Sequence, residues 1–154
     1  MDAIPCSDGR RLGAMICYES VYGDWSRVAT KKGASFLAVM TNDGWWGDTP
    51  GYRQHFNYAR LRAIENRRDV VQAANTGTSG FINQRGDVLA KTGWGEETTL
   101  RGTVNGNDVQ TAFVRNGDRT GRVACHAFCG LLMLLFFVAL DTRSGRGKSA
   151  SGNA

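Results

Sequence analysis

The pattern of hydrophobic and polar positions divides the chain into a polar, glycine-punctuated part and one long apolar segment towards its C-terminal end. In the polar part, short apolar runs bounded by turn residues predict buried strands, and apolar residues three and four positions apart predict helices. The predicted strands are 11–17, 36–40, 70–74, 80–83, 88–91 and 98–104, and the predicted helices are 22–32 and 51–66. This order of strands and helices predicts an α/β or layered α+β fold.

The second predicted helix is the longest of the polar part and has one mainly apolar face. The residues of that face recur at helical spacing, and they are Tyr52, His55, Phe56, Ala59 and Ala63. We expect this face to pack against the predicted strands.

Residues 123–140 form the long apolar segment, in which His126 is the only strongly polar side chain and no residue is charged. A helix of this length spans about 27 Å at ~1.5 Å per residue, close to the roughly 30 Å of a bilayer's hydrocarbon core. The segment therefore predicts a transmembrane helix, with a buried core helix as the alternative. Residues 141–154 combine basic residues with Ser and Gly and predict a basic, flexible tail.

The net charge of +5 is spread along the chain. No basic run interleaved with aromatic residues is present, so we predict no nucleic-acid binding. The four cysteines form neither a zinc-type pairing nor a disulfide framework. Cys125 and Cys129 lie on one face of the apolar helix and are predicted to be packing residues.

Cys17 is the candidate nucleophile, because it ends a predicted buried strand and enters a turn. A strand would fix its backbone, and the turn would expose the sulfur next to N–H groups that stabilise an oxyanion. The thiolate is the reactive form, so such a cysteine needs a base or a nearby positive charge. A lone cysteine after an apolar run is more often a small packing residue, and the residues alone leave both interpretations open.

Four segments in order carry a resemblance to a known family: Ile16-Cys17-Tyr18-Glu19, then 41–47, then a helix matched at 54–55 and 59–67, then 75–80. Together they resemble the nitrilase, or carbon–nitrogen hydrolase, superfamily over about residues 11–105. Asn-Asp-Gly-Trp-Trp-Gly followed by Gln-His is most similar to its membrane branch, the apolipoprotein N-acyltransferases. That family has a periplasmic nitrilase-like domain followed by a last transmembrane helix.

The resemblance implies the organisation of the chain. Residues 1–115 would form a partial nitrilase-like domain, half of an αββα sandwich, followed by the transmembrane helix 123–140 and the tail 141–154. It also implies a location in the bacterial inner (cytoplasmic) membrane, with the catalytic domain facing the periplasm.

The activity that the resemblance implies is acyl transfer in two steps. The Cys17 thiolate would take an acyl chain from a phospholipid donor as a thioester. The N-terminal amine of a diacylglyceryl-cysteine apolipoprotein, the acceptor, would then take that chain as an amide. The implied partners are these two substrates and the membrane, with neither cofactor nor metal.

The resemblance also assigns residues around Cys17. Tyr18, Glu19 and Trp45 match positions that line the family's active site. A second interpretation of Glu19 is a carboxylate that accepts hydrogen bonds from free N–H groups at a helix N-terminus.

Four polar or aromatic neighbours receive structural interpretations. Trp46 is predicted to pack, and His55 is predicted to be structural rather than a catalytic base. Asn42 and Asp43 are predicted to hold their loop through side-chain-to-backbone hydrogen bonds.

The family's triad is Glu-Lys-Cys, in which Glu is the general base and Lys stabilises the oxyanion. Both precede the cysteine by many tens of residues, and residues 1–16 contain neither residue type. We therefore expect a C-terminal fragment of a longer enzyme that is inactive alone. Two alternatives stay open: a soluble nitrilase-type amidase and an inactive remnant.

Overall fold

The computed structural model describes residues 2–149, with side chains for residues 2–140. The chain divides into two compact units, residues 1–117 and residues 118–154, and each is described by itself.

The first unit contains six strands and three helices. The strands are β1 (Ala3–Pro5), β2 (Arg11–Ile16), β3 (Phe36–Thr41), β4 (Val70–Ala74), β5 (Gly80–Ile82) and β6 (Val88–Lys91). The helices are α1 (Gly23–Lys31), α2 (Pro50–Asn66) and α3 (Ala112–Asn116). A first 3₁₀ turn, Cys17–Val21, follows β2, and a second 3₁₀ turn, Gly44–Trp46, follows β3.

The six strands form one sheet in chain order, β1-β2-β3-β4-β5-β6. The central strands β2, β3 and β4 are parallel, whereas β1, β5 and β6 pair antiparallel to their neighbours. Parallel neighbours need crossover connections, which α1 and α2 supply. The carboxyl ends of the three parallel strands therefore lie at one edge, where the segments after Ile16, Thr41 and Ala74 meet.

One face of this sheet and the inner faces of α1 and α2 form the core. Met15, Leu37, Val39 and Val70 are fully buried from the sheet. The buried residues of α2 include the whole predicted apolar face, so that prediction is confirmed. Fully burying an aliphatic side chain of this size contributes about 1.5–3 kcal/mol. The predicted α/β fold is confirmed as a mixed sheet with helices packed on it.

The opposite face of the central strands is less covered in the described part of the chain. Ile16 and Met40, which pair across β2 and β3, are 55% and 46% exposed. Their side chains point away from α1 and α2, because side chains alternate along a strand.

The strand predicted over residues 98–104 is wrong, because this segment is irregular. At its C-terminal end, side chains rather than a neighbouring strand bind the backbone. Arg10 donates to the Val104 carbonyl at 3.2 Å, and the next amide, that of Asn105, donates to Asp69 at 2.6 Å. Gly102 also lies so close to the Phe81 ring that a Cβ there would be 2.8 Å away.

Two short elements were not predicted. β1 pairs with β2 in the register Ala3 opposite Gly13, and α3 is capped by the Thr111 hydroxyl, which accepts from the Val114 amide at 3.0 Å. Elements of three and five residues are too short for a periodic pattern to be recognised.

The second unit is one helix, α4 (Arg119–Ser149). Its part Arg119–Leu140 is long and apolar enough to cross a membrane, as judged by length and composition, and none of it is buried. Cys125 and Cys129, which were predicted to pack, are exposed. The transmembrane span and its alternative, a buried core helix, both stay predictions.

The predicted end of the apolar helix differs from the observed one. A flexible tail was predicted from residue 141, but the backbone stays helical to Ser149. Extending an existing helix adds one hydrogen bond for each residue that is fixed, so polar residues follow a helix that is already formed. Residues 150–154 of the predicted tail lie outside the described residues.

Candidate active site

Cys17 lies where β2 ends and the first 3₁₀ turn begins, at the carboxyl edge of the parallel strands. Its backbone φ is 50°, in the left-handed region that residues other than glycine rarely adopt. Such a conformation costs roughly 1–3 kcal/mol and persists only where the surroundings enforce it. The sharp turn brings the half-buried cysteine out of the strand, as the sequence predicts for a nucleophile.

Two hydrogen-bond donors hold the Cys17 backbone. Its carbonyl oxygen accepts from the Ser20 hydroxyl at 2.9 Å, and His55 Nε2 lies 3.1 Å from the same oxygen. His55 Nε2 also lies 2.8 Å from Ser20 Oγ. Helix α2 therefore supports the turn through a side chain that contacts the backbone of Cys17 rather than its thiol.

Asp43 continues this network on the other side of the imidazole. Its Oδ1 lies 2.8 Å from His55 Nδ1 and accepts from the Thr41 hydroxyl at 2.8 Å. The predicted side-chain-to-backbone role is thus wrong for Asp43, whose partners are side chains. It is confirmed for Asn42, whose side-chain oxygen accepts from the Gly44 amide at 3.2 Å.

The loop after β4 closes over Asp43. The Asp43 amide donates to the Thr76 carbonyl at 2.7 Å. Gly77 has a φ of 127°, and a Cβ there would lie 2.9 Å from the Asp43 side chain. Glycine at this position therefore permits both the backbone conformation and the close approach to Asp43.

Tyr18 is half exposed and belongs to an aromatic group beside Cys17. Its ring stacks on the His55 ring, with centroids 6.2 Å apart and planes at 29°. The Trp46 ring contacts both rings, and its centroid lies 6.2 Å from that of Tyr18 and 5.4 Å from that of His55. Trp46 packs as predicted, whereas its neighbour Trp45 is 87% exposed.

Glu19 turns back towards the strand. Its Oε2 accepts from the Ile16 amide at 2.8 Å. This hydrogen bond matches the second sequence interpretation, a carboxylate that satisfies a free N–H at the start of a helical turn. The bond also fixes the strand end directly before Cys17.

A cleft of about 170 Å³ opens next to the aromatic group of Tyr18, Trp46 and His55. Its walls are Tyr18, Trp46, Gly51, Gln54, His55 and Tyr58. A larger cavity, of about 430 Å³, lies between the N-terminal part of α2 and the segment after β6 and includes Tyr52, Lys91 and Trp94 in its walls.

Arg62 is a support that the sequence analysis missed. It is 5% exposed, and its Nη1 donates to the carbonyl oxygens of Val21 at 2.9 Å and Ser20 at 3.4 Å. Its Nε lies 3.0 Å from Glu65. Burial lowers the pKa of the Arg62 guanidinium, and the Glu65 charge opposes that change. The only sequence signal for its burial is its position one residue before Ala63, which belongs to the apolar face.

The thiol of Cys17 has no base as a hydrogen-bond partner within the described part of the chain. The predicted site residues Cys17, Tyr18 and Glu19 come together in the first 3₁₀ turn. Trp45 follows on the second 3₁₀ turn, whose Trp46 contacts Tyr18. Such a site can present a cysteine and bind an apolar group, while proton transfer requires a further residue.

The carbon–nitrogen hydrolase family matches residues 1–112 of the chain. Among curated proteins, the apolipoprotein N-acyltransferase of Pasteurella multocida is 36% identical over 129 residues, which cover 84% of this chain and 24% of that protein. The enzyme of the same name from Sinorhizobium medicae is 46% identical over 86 residues, 56% of this chain and 16% of that protein. The chain thus spans about a quarter or less of these relatives' length.

Solved structures show the same fold. A carbon-nitrogen hydrolase from Helicobacter pylori has a TM-score of 0.56 at 21% identity, over 62% of this chain and 40% of that one. An amidase from Nesterenkonia sp. has a TM-score of 0.52 at 20% identity, over 79% of this chain and 45% of that one.

Proposed function

Because this chain belongs to the carbon–nitrogen hydrolase family, we propose that it is part of an apolipoprotein N-acyltransferase whose nucleophile is Cys17. The single observation that carries this proposal is the position of Cys17. It stands at the carboxyl edge of the parallel strands, in a left-handed backbone conformation held by buried groups. The names of the curated relatives supply the reaction.

In the first step, the Cys17 thiolate attacks the carbonyl carbon of a phospholipid acyl ester. A C–S bond forms, the ester C–O bond breaks, and the lysophospholipid oxygen leaves with a proton. In the second step, the N-terminal amine of diacylglyceryl-cysteine attacks the thioester. A C–N bond forms, the C–S bond breaks, and the amine proton returns to a base. Dividing the transfer in this way is the usual advantage of a covalent intermediate.

The residues around Cys17 receive roles in this proposal. The exposed Trp45 contacts the acyl chain, and Tyr18, next to Cys17 in the chain, forms part of the cleft wall. Glu19 lines the site by fixing the backbone before Cys17.

Helix α4 supports a membrane location for the proposed enzyme. Its apolar part, Arg119–Leu140, would anchor the chain in the bacterial inner membrane with the cysteine on the periplasmic side. This element favours the acyltransferase over the soluble amidase, because an exposed apolar helix is unfavourable in water.

A chimera tests the proposal. Residues 11–140 of this chain replace the matching part of the Pasteurella multocida relative, and N-acylation of a diacylglyceryl-cysteine peptide is measured with phospholipid as donor. We expect activity in the chimera, none after Cys17→Ala, and normal activity after the control Cys125→Ala, which changes an exposed cysteine of α4. An active Cys17→Ala chimera would contradict the proposal.

A further inference from the structure

We propose that His55 is a positioning residue for the nucleophile: a buried imidazolium, paired with Asp43, whose Nε2–H holds the carbonyl of Cys17. This inference rests on the proposed function, because it takes Cys17 as the nucleophile. It explains why a histidine and an aspartate are buried together beneath the turn that carries the thiol.

The proposed ring state is the one in which every contact of the imidazole is a hydrogen bond. A carbonyl oxygen can only accept, so the 3.1 Å contact with Cys17 is a hydrogen bond when Nε2 carries a proton. Ser20 then gives its one hydroxyl proton to the same carbonyl and accepts from Nε2. An ionised Asp43 carboxylate also accepts only, so its contact is a hydrogen bond when Nδ1 carries a proton. A ring with both protons is an imidazolium.

The pair of Asp43 and His55 is buried, so each charge needs a partner within the protein. Ser20 and Asp43 are fully buried and His55 is 2% exposed. Asp43 Oδ2 has no hydrogen-bond partner among the described residues. The negative charge of Asp43 is thus balanced by His55, together with the Thr41 hydroxyl on Oδ1. A buried charge without such a partner would be strongly unfavourable.

The network joins the ends of all three parallel strands. Cys17 follows β2, Asp43 follows β3, and the amide of Asp43 is bonded to Thr76 after β4. His55 reaches into this junction from helix α2. A shift of the imidazole would therefore release the Cys17 carbonyl, and the left-handed conformation at Cys17 would lose one of its two carbonyl supports.

The proposed cation would also act on the thiol electrostatically. A positive charge near a cysteine favours the thiolate, which is the reactive form. Tyr18 stacks on the imidazole and Tyr58 shares a cleft wall with it. Glu19 and Arg62 are titratable groups of the first 3₁₀ turn and of α2, and they bind the Ile16 amide and the Ser20 carbonyl. Arg62 is bound to Glu65 and to backbone carbonyls of that turn, so the imidazolium is the cation that touches the Cys17 backbone.

Two substitutions separate the contacts of the ring. His55→Gln puts an amide N–H near the position of Nε2, whereas His55→Asn puts one near Nδ1. His126→Gln is the control, since His126 lies on α4 and its ring contacts only the Arg122 carbonyl in the described contacts. The full chain is treated with iodoacetamide across a pH series, and the rate at each cysteine is read by peptide mass spectrometry. Cys6, equally half-buried, is the internal reference.

We expect Cys17 to react faster than Cys6 at neutral pH in the wild type and in His126→Gln. His55→Asn lowers the Cys17 rate about tenfold, the effect of one hydrogen bond to a charged group, and His55→Gln restores most of it. In both variants the pH of half-maximal Cys17 alkylation rises, because the cation is gone. A merely structural role would leave that pH unchanged, and this result would overturn the proposal.

A second measurement needs no variant of the network. Nitrogen-15 NMR of the full chain in detergent, with His126→Gln used for assignment, gives the ring state of His55 at neutral pH. Two protonated ring nitrogens are expected, and a neutral imidazole would overturn the inference. If the imidazolium is present but wild-type Cys17 is no more reactive than Cys6, the nucleophile assignment fails instead.

Discussion

Cys17 keeps a left-handed backbone conformation because its carbonyl is bound from two directions. The side chains that bind it, Ser20 and His55, are buried. Strain of this kind at a predicted nucleophile is typical of functional sites, where a fixed backbone aims a reactive side chain. At the residue scale, the site therefore depends as much on the groups beneath the cysteine as on the cysteine itself.

Arg62 supports the same turn by binding the carbonyls of Ser20 and Val21. Arg62→Met removes the side-chain donor to the carbonyls of Ser20 and Val21 and the ion pair with Glu65. We expect a loss of about 2–3 kcal/mol in the free energy of unfolding, as for other buried hydrogen bonds of a charged group. Urea unfolding followed by tryptophan fluorescence measures it. The control Arg53→Met removes an exposed arginine of the same helix, and an equal loss in both variants would contradict the assigned role.

The sequence predicted the residues of the first 3₁₀ turn but not the groups that bind them. Cys17, Tyr18 and Glu19 are neighbours in one motif, so a resemblance identifies them together. The contact of Asp43 with His55 joins residues twelve apart, and that of His55 with Ser20 joins residues thirty-five apart. A hydropathy pattern shows that His55 is on a buried face, but it does not show which polar partner it meets.

At the scale of elements, the strength of the pattern decided which predictions were correct. Helix α2 has a long apolar face and was predicted within one residue at its start. Residues 98–104 have no alternating pattern, and at their C-terminal end Arg10 binds the Val104 carbonyl and Asp69 binds the next amide. Long-range side-chain contacts of this kind leave no local signal.

Helix α4 carries the prediction that belongs to this scale. We expect the full chain to stay with bacterial membranes after an alkaline carbonate wash, because Arg119–Leu140 is wholly apolar at its centre. The double substitution Leu131→Arg and Leu132→Arg should release most of it, since each arginine at the centre of a span costs about 2.5–3.5 kcal/mol. Val123→Arg, near the helix end, is the control and should stay bound. A wild-type chain in the soluble fraction would favour the amidase alternative.

At the scale of the whole molecule, the first unit is a single sheet with helices on one face. Ile16 and Met40 remain exposed on the other face. The chain belongs to the carbon–nitrogen hydrolase family but spans about a quarter or less of the acyltransferases it resembles. We therefore propose, for this chain, a part in the activity of those whole proteins.

The described part of the chain supplies no base to the Cys17 thiol, which leads to a prediction for the chain alone. Incubated with phospholipid vesicles, the 154-residue chain should form no acyl thioester, because proton transfer to the leaving oxygen and stabilisation of the oxyanion both contribute large rate factors. Intact-protein mass spectrometry before and after hydroxylamine treatment measures this. A hydroxylamine-sensitive acyl group on the isolated chain would contradict the prediction.

The most direct test of the central claim is to find the acyl group on Cys17. The chimera with the Pasteurella multocida relative is incubated with phospholipid in the absence of any acceptor peptide, quenched in acid and digested for mass spectrometry. The peptide that contains Ile16-Cys17-Tyr18-Glu19 should carry a fatty acyl group that hydroxylamine removes and that an acceptor peptide takes up. An active chimera whose acyl group lies on another residue, or that forms no acyl-enzyme, would contradict Cys17 as the nucleophile.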